Sequence, residues 1–242
     1  GYGKPALLGG LGGIDIEVDV FSNLLGFEDP NSVPIAGAPT AMTVDDFDGD
    51  GNDDVAITLA GVDETSVGSV LVMQSDGAGG FNSSQQITVG ANPQAITAGD
   101  FDNDGHLDLA IANSGDDSVS VLENLALGDG TYNAAWDFGV GRNPRDVEAV
   151  DLNGDGVKDL AVVVADDDAV EMWLTSAGAR SIAFGLDTIV AVGEWPNDID
   201  PGDVNDDKVV KMIVSNLEDG SATVLSKGGT PLMGSWSTAT LE

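Results

Sequence analysis

Short apolar runs of strand length alternate along this chain with clusters of Gly, Asn, Asp and Pro. The runs are rich in Val and Ile, and several alternate apolar with polar, as Ser118-Val-Ser-Val-Leu122 and Ala169-Val-Glu-Met-Trp173 do. Both features predict β-strands rather than helices. Other runs are apolar or nearly so, such as Val55-Ala-Ile-Thr58, Leu109-Ala-Ile-Ala112 and Leu160-Ala-Val-Val-Val164. A short run of that kind is expected of a strand buried on both faces.

The pattern repeats. Four acidic segments line up, DFDGDGNDD at 46–54, DFDNDGHLD at 100–108, DLNGDGVKD at 151–159 and DVNDDKVVK at 203–211, with first residues 54, 51 and 52 positions apart. Before each stands a Gly…Pro step, ending at Pro39, Pro93, Pro144 and Pro196, and after each stands an apolar run. Each unit then holds a polar turn, an alternating strand and a more irregular outer strand, Phe81–Val89 in one unit and Trp136–Val140 in the next. Four strands at a period near 52 predict an all-β propeller built from four-stranded antiparallel blades, with the acidic loop between first and second strands. Complete repeats are expected at about 34–90, 91–141, 142–193 and 194–242 of one domain. Residues 1–33 read as a partial blade, with Lys4–Leu8 and Ile14–Asn23 as its second and third strands. Either the ring closes with five blades or the chain is part of a larger propeller.

The acidic loops carry the chemistry. Their pattern, Asp-x-Asp/Asn-x-Asp-Gly-x-x-Asp, places oxygen side chains at positions 1, 3, 5 and 9. Several carboxylates in one loop repel one another by roughly 1–4 kcal/mol per pair at ~4 Å. A hard divalent cation turns that repulsion into attraction, and calcium takes 6–8 oxygens in flexible geometry. Gly51, Gly105 and Gly156 stand at position 6, where a tight turn needs positive φ. Position 7 varies freely (Asn52, His106, Val157), as expected of a residue that offers only its backbone carbonyl. An EF-hand would need an acid at position 12 and a following helix. Here position 12 is Ile57, Ile111 or Val162, each inside an apolar run, which excludes it. In the fourth loop Lys208 replaces the glycine and Lys211 the last acid, so this loop is expected to hold calcium weakly or not at all.

These loops and Gly…Pro steps resemble the FG-GAP/VCBS repeat family, the blades of integrin α-subunit propellers and of many bacterial surface and secreted proteins. The resemblance implies about three calcium ions. The first would be held by Asp46, Asp48, Asp50, the Asn52 carbonyl and Asp54. The second would be held by Asp100, Asp102, Asp104, the His106 carbonyl and Asp108, and the third by Asp151, Asn153, Asp155, the Val157 carbonyl and Asp159.

Composition narrows the function. Against 8 Lys and Arg stand 42 acids, a net charge of −34. Such a field repels phosphate backbones and anionic membranes, which argues against nucleic-acid and membrane-surface partners. With no cysteine there is neither a disulfide framework nor a thiolate metal site. No run reaches the ~18 apolar residues of a membrane-spanning helix. The chain lacks an initial Met and reads as a mature or excised form, with Leu241-Glu242 as a vector-derived end. His106 is the sole histidine, so a Ser-His-Asp triad has no support. The acids Asp116-Asp117, Asp166–Asp168 and Glu218-Asp219 read as solvated hairpin tips. Trp136 and Trp173 read as packing residues. Trp195 stands in the loop entering a blade, where packing is favoured over stacking on a sugar. The expectation is a non-enzymatic, calcium-stabilised extracellular or cell-surface binding or adhesion module, bacterial and salt-adapted, with a protein or glycan ligand. The alternatives are a lectin-like propeller and a propeller of a polysaccharide lyase or hydrolase.

Overall fold

A computed structural model describes residues 35–176, 182–203, 210–227 and 236–241 of the chain. The partial blade read at 1–33 lies outside these residues. So does the fourth acidic loop, apart from its ends.

The described chain forms sixteen strands in four sheets. The first holds β1 (Ala38–Asp45), β2 (Asp54–Ala60), β3 (Val67–Ser75) and β4 (Phe81–Ala91). The second holds β5 (Pro93–Gly99), β6 (Asp108–Asn113), β7 (Ser118–Leu122) and β8 (Trp136–Gly139). The third holds β9 (Pro144–Val150), β10 (Asp159–Val164), β11 (Ala169–Thr175) and β12 (Phe184–Ala191). The fourth holds β13 (Pro196–Gly202), β14 (Lys211–Asn216), β15 (Ser221–Lys227) and β16 (Trp236–Leu241). Every sheet is an antiparallel meander in chain order. First strands of successive sheets pack together, β1 on β5, β5 on β9 and β9 on β13. The fold is therefore a β-propeller, with the sheets as blades around an axis lined by their first strands. Leu241, read from sequence as vector-derived, pairs with Ala222 in the last blade.

Period-2 alternation builds the core between blades. Ala56 of β2 joins Leu109 and Ile111 of β6 in one apolar cluster between blades 1 and 2. The next residues of β6, Ala110 and Ala112, instead join Leu160 and Val162 of β10. Ala161 and Val163 in turn join Met212 and Val214 of β14. β6 and β10 are thus covered on both faces, which is why their runs are apolar, whereas β14 alternates, burying Met212 and Val214 and exposing Ser215. The Pro steps also recur as structure. A register shift marks the entry of each first strand, at Pro39, Pro93, Pro144 and Pro196, where proline has no N–H for the ladder.

One turn departs from the all-strand expectation: Ala165–Asp167, between β10 and β11, makes a single 3-10 turn that ends on Asp168 at φ 48°. Antiparallel topology puts the acidic loops at one end of the ring. The turns between second and third strands and the Pro entries lie together at the other.

Candidate metal centres

The three described acidic loops share one hydrogen-bond scheme. Asp46 at position 1 accepts the N–H groups of Gly49 and Asp50 on Oδ1 and of Gly51 on Oδ2, at 2.8, 3.1 and 2.9 Å. Asp100 accepts Asp104 and Gly105, and Asp151 accepts Gly154, Asp155 and Gly156. Position 3 (Asp48, Asp102, Asn153) accepts the N–H of position 5, and position 5 (Asp50, Asp104, Asp155) accepts that of position 7. The loop is thereby wound round its own side-chain oxygens. Gly51, Gly105 and Gly156 all take φ of 90–91°, as a position-6 turn requires. In the first loop, oxygens of Asp46, Asp48 and Asp50 lie within 4.8 Å of one another. In the second, oxygens of Asp100, Asp102 and Asp108 do so. An oxygen with one N–H bond still has a lone pair for a cation. The donor sets are hard oxygens throughout, which fits calcium.

Position 9 has a second role that sequence reasoning missed. Asp54, Asp108 and Asp159 are at most 2% exposed. Each accepts the N–H of loop position 2 on Oδ2 (Phe47, Phe101, Leu152) at 2.9–3.1 Å. Each also accepts an N–H near the end of its third strand on Oδ1 (Ser75, Asn124, Thr175), at 2.8 Å in every case. Burial raises all three carboxyls, Asp108 to about 7 and Asp159 to about 6, against the lowering effect of these N–H groups. Neighbouring loop carboxylates raise them further, a repulsion that a bound cation reverses.

Position 2 fastens each loop to the next blade. Phe47 is buried in the cluster shared with Leu109, Ile111 and Leu122 of blade 2. Phe101 is buried with Val147 and Leu160 of blade 3, and Leu152 with Ile199 and Met212 of blade 4. The Phe47 carbonyl also accepts Asn124 Nδ2 from blade 2 at 2.9 Å. Ordering a loop therefore also orders a joint between blades. At position 7, Asn52 and His106 are half-buried and Val157 is buried.

The acids read as solvated tips do more than meet water. Asp116, Asp167 and Asp219 each accept an N–H from the entry of their own blade, from Ala91, Arg142 and Glu194, at 2.7–3.0 Å. The acids after the first two, Asp117 and Asp168, accept the N–H of the next blade's entry, from Asn143 and Trp195, at 2.8 and 2.9 Å. Paired acids thus clamp neighbouring blades at the end opposite the acidic loops. Asn92, Asn143 and Trp195, each just before an entry proline, have φ of 51–55°. The two packing tryptophans take part in ring contacts, Trp173 with Phe138 at 4.8 Å and Trp136 with Phe138 at 5.9 Å. Among the described residues no helix is long and apolar enough to cross a membrane.

A family model described as an FG-GAP-like repeat matches residues 46–111 and 100–162, which span all three of these loops. Among curated proteins none matches the sequence. One similar solved structure is BBS1N in complex with ARL6DN, at 14% identity and TM-score 0.49, covering 86% of this chain; the chain spans 61% of that one's length. Another is a candidate 6-phosphogluconolactonase from Bacteroides uniformis, at 12% identity and TM-score 0.46, covering 87% of this chain and 75% of that one. Neither similarity carries an inference at these scores.

Proposed function

From the premise that residues 46–162 are FG-GAP-like repeats, we propose that this propeller is a calcium-stabilised, non-catalytic binding or adhesion module of an extracellular or cell-surface protein. The observation that carries the reading is the hydrogen-bond scheme repeated in three loops, with carboxylate oxygens converging in the first two, while position 2 of each is buried in the next blade. A cation bound there stabilises the joint between blades as well as the loop. Binding to the folded state alone contributes RT ln(1+[L]/Kd), about 2.7 kcal/mol per site at 100-fold excess. Extracellular modules bind calcium at about 10⁻⁴–10⁻³ M, a range filled outside cells and empty in cytosol. The regular acids are absorbed by the loops and the blade clamps, which supports a binding role over catalysis.

Calcium titration by calorimetry, paired with thermal melting in calcium and in chelator, tests this. About three equivalents are expected, with a loss in chelator of more than about 10 °C, since 1 kcal/mol moves Tm by roughly 2–4 °C at this size. A melt indifferent to chelator would overturn it.

A further inference from the structure

A binding module needs a place for its ligand, and one built cavity lies at the end of the ring opposite the acidic loops. It has a volume of about 470 Å³ and lies among the turns and entries of the first three blades. That volume is within the usual range of small-molecule sites, ~300–1,000 Å³. Its walls are fixed. Gly115 lets the first blade's turn press on the second: a Cβ there would stand 2.2 Å from the Glu64 carbonyl oxygen. Arg142 is tied by Nε and Nη2 to Asp167 Oδ1 and by Nη2 to the Asp166 carbonyl, all at 2.7–2.8 Å. Asn143 donates its N–H to Asp117 and its Nδ2 to Asp166.

Arg145 differs from the rest of this wall. It lines the cavity, half-buried, and among the described residues its guanidinium has neither an ion pair nor a hydrogen bond. In a chain with 42 acids, an unpaired arginine beside Glu64, Asp117 and Asp166 offers up to five donors across from three acceptor groups. A polyanion would meet three carboxylates for one free cation, and an apolar ligand would find almost no apolar wall. A ligand that both donates and accepts, and carries no charge, suits the lining.

We infer that this cavity binds a neutral saccharide, whose hydroxyls accept from Arg145 and donate to Asp117 and Asp166. The inference rests on the binding-module reading above and deepens it. Trp195 supplies a flank. It is the next entry residue round the ring, and its N–H is tied to Asp168, in the same turn as Asp166. It also holds φ 54°, a conformation that costs a bulky residue about 1–3 kcal/mol and that the two preceding blades give to Asn92 and Asn143. Half-exposed, its ring is available to the C–H face of a sugar extending beyond the cavity.

The test uses the whole chain in millimolar calcium. Saturation-transfer NMR and calorimetry are run with methyl glycosides of glucose, galactose, mannose and fucose, with their disaccharides, and with galacturonate and inorganic sulfate as anionic probes. At least one neutral glycoside is expected to bind. Arg145→Gln should weaken it about tenfold or more with Tm unchanged, because Arg145 bonds to nothing among the described residues. Asp166→Asn, which keeps an oxygen for Asn143, should weaken it similarly. Trp195→Asn, the residue of the neighbouring blades, should hold or raise Tm and weaken disaccharides more than monosaccharides. Binding of only the anionic probes, no binding of any neutral glycoside, or affinity indifferent to both Arg145→Gln and Asp166→Asn would overturn the proposal. Melting in chelator on the same sample reports on the calcium reading separately, so the two can fail independently.

Discussion

Asp159 and Thr175 meet across the third blade, where Asp159 Oδ1 accepts the Thr175 N–H at 2.8 Å. The other oxygen takes the Leu152 N–H at 2.9 Å. One buried carboxylate therefore fastens the start of the second strand to the acidic loop and to the end of the third strand. The same three-way tie occurs at Asp54 and Asp108, so the last acid of each loop is a structural staple whether or not it also touches a cation.

Asp159→Ala should accordingly destabilise the protein even without calcium. It leaves two buried N–H groups without acceptors, each costing on the order of 1–3 kcal/mol. Asp46→Ala removes a side chain whose N–H partners lie in an exposed loop, where water can replace it. Melting both variants in chelator checks the contrast: a fall in Tm of several degrees is expected for Asp159→Ala and a smaller one for Asp46→Ala. In calcium, Asp46→Ala should lose one equivalent. Equal behaviour of the two variants in chelator would refute the staple.

Gly156 isolates backbone conformation from packing. It sits at φ 90°, and a Cβ there would meet nothing within 4 Å, so Gly156→Ala adds strain and no clash. About 1–2 kcal/mol of destabilisation is expected, together with weaker calcium at that loop alone. Gly115→Ala should be far more damaging, because the added methyl would strike the Glu64 carbonyl. Comparing the two melting points decides whether close approach or turn conformation holds each glycine.

Phe101 couples the second loop to the third blade. Phe101→Ala should cost about 3–5 kcal/mol as a large-to-small core change. It should also weaken calcium at the second loop, since the ordered loop loses its anchor. Calorimetry would then show one weakened site among the equivalents. Loss of stability with all sites unchanged would separate loop from joint and count against the coupling.

The acidic loops were legible because their information is local. Nine residues carry the oxygens and the glycine, and the repeats stand in register. Blade boundaries were legible for a similar reason, through the Gly…Pro steps and the short apolar runs of the second strands. The clamps were not legible: Asp117 reaches the Asn143 N–H 26 residues away, and a backbone N–H leaves no mark in sequence. Asp116-Asp117 therefore looked like an ordinary solvated turn. Phe47 and Phe101 were visible as aromatic residues inside acidic loops, and that contrast with their neighbours was the available signal of a buried plug. The cavity around Arg145 was also beyond reach, because it draws on turns from three blades. An arginine without a partner can be recognised only once the fold shows which of 42 acids stand near it.

The inner strands of the third and fourth blades bring four carboxyls together, and stability should fall as pH rises through the titration of two of them, Glu148 and Asp146. Burial raises Glu148 to about 7, and the charges of Asp146, Asp200 and Asp198 raise it further. Asp146 is raised to about 6, again first by burial, against the N–H groups of Ile199 and Val147 that its oxygens accept. These folded values lie above the unfolded ones near 4, so between about pH 4 and 7 the native state binds more protons than the unfolded state. Stability then decreases with rising pH in that window. After allowance for solvent screening, Glu148 should account for on the order of 1–2 kcal/mol. Asp108 and Asp159 titrate in the same direction, so the informative quantity is the difference between wild type and Glu148→Gln. Denaturant midpoints from pH 5 to 8 in chelator should show wild type losing stability faster than Glu148→Gln, with the variant the more stable at pH 8. Parallel pH curves for the two proteins would mean that the Glu148 charge is already compensated in the folded ring.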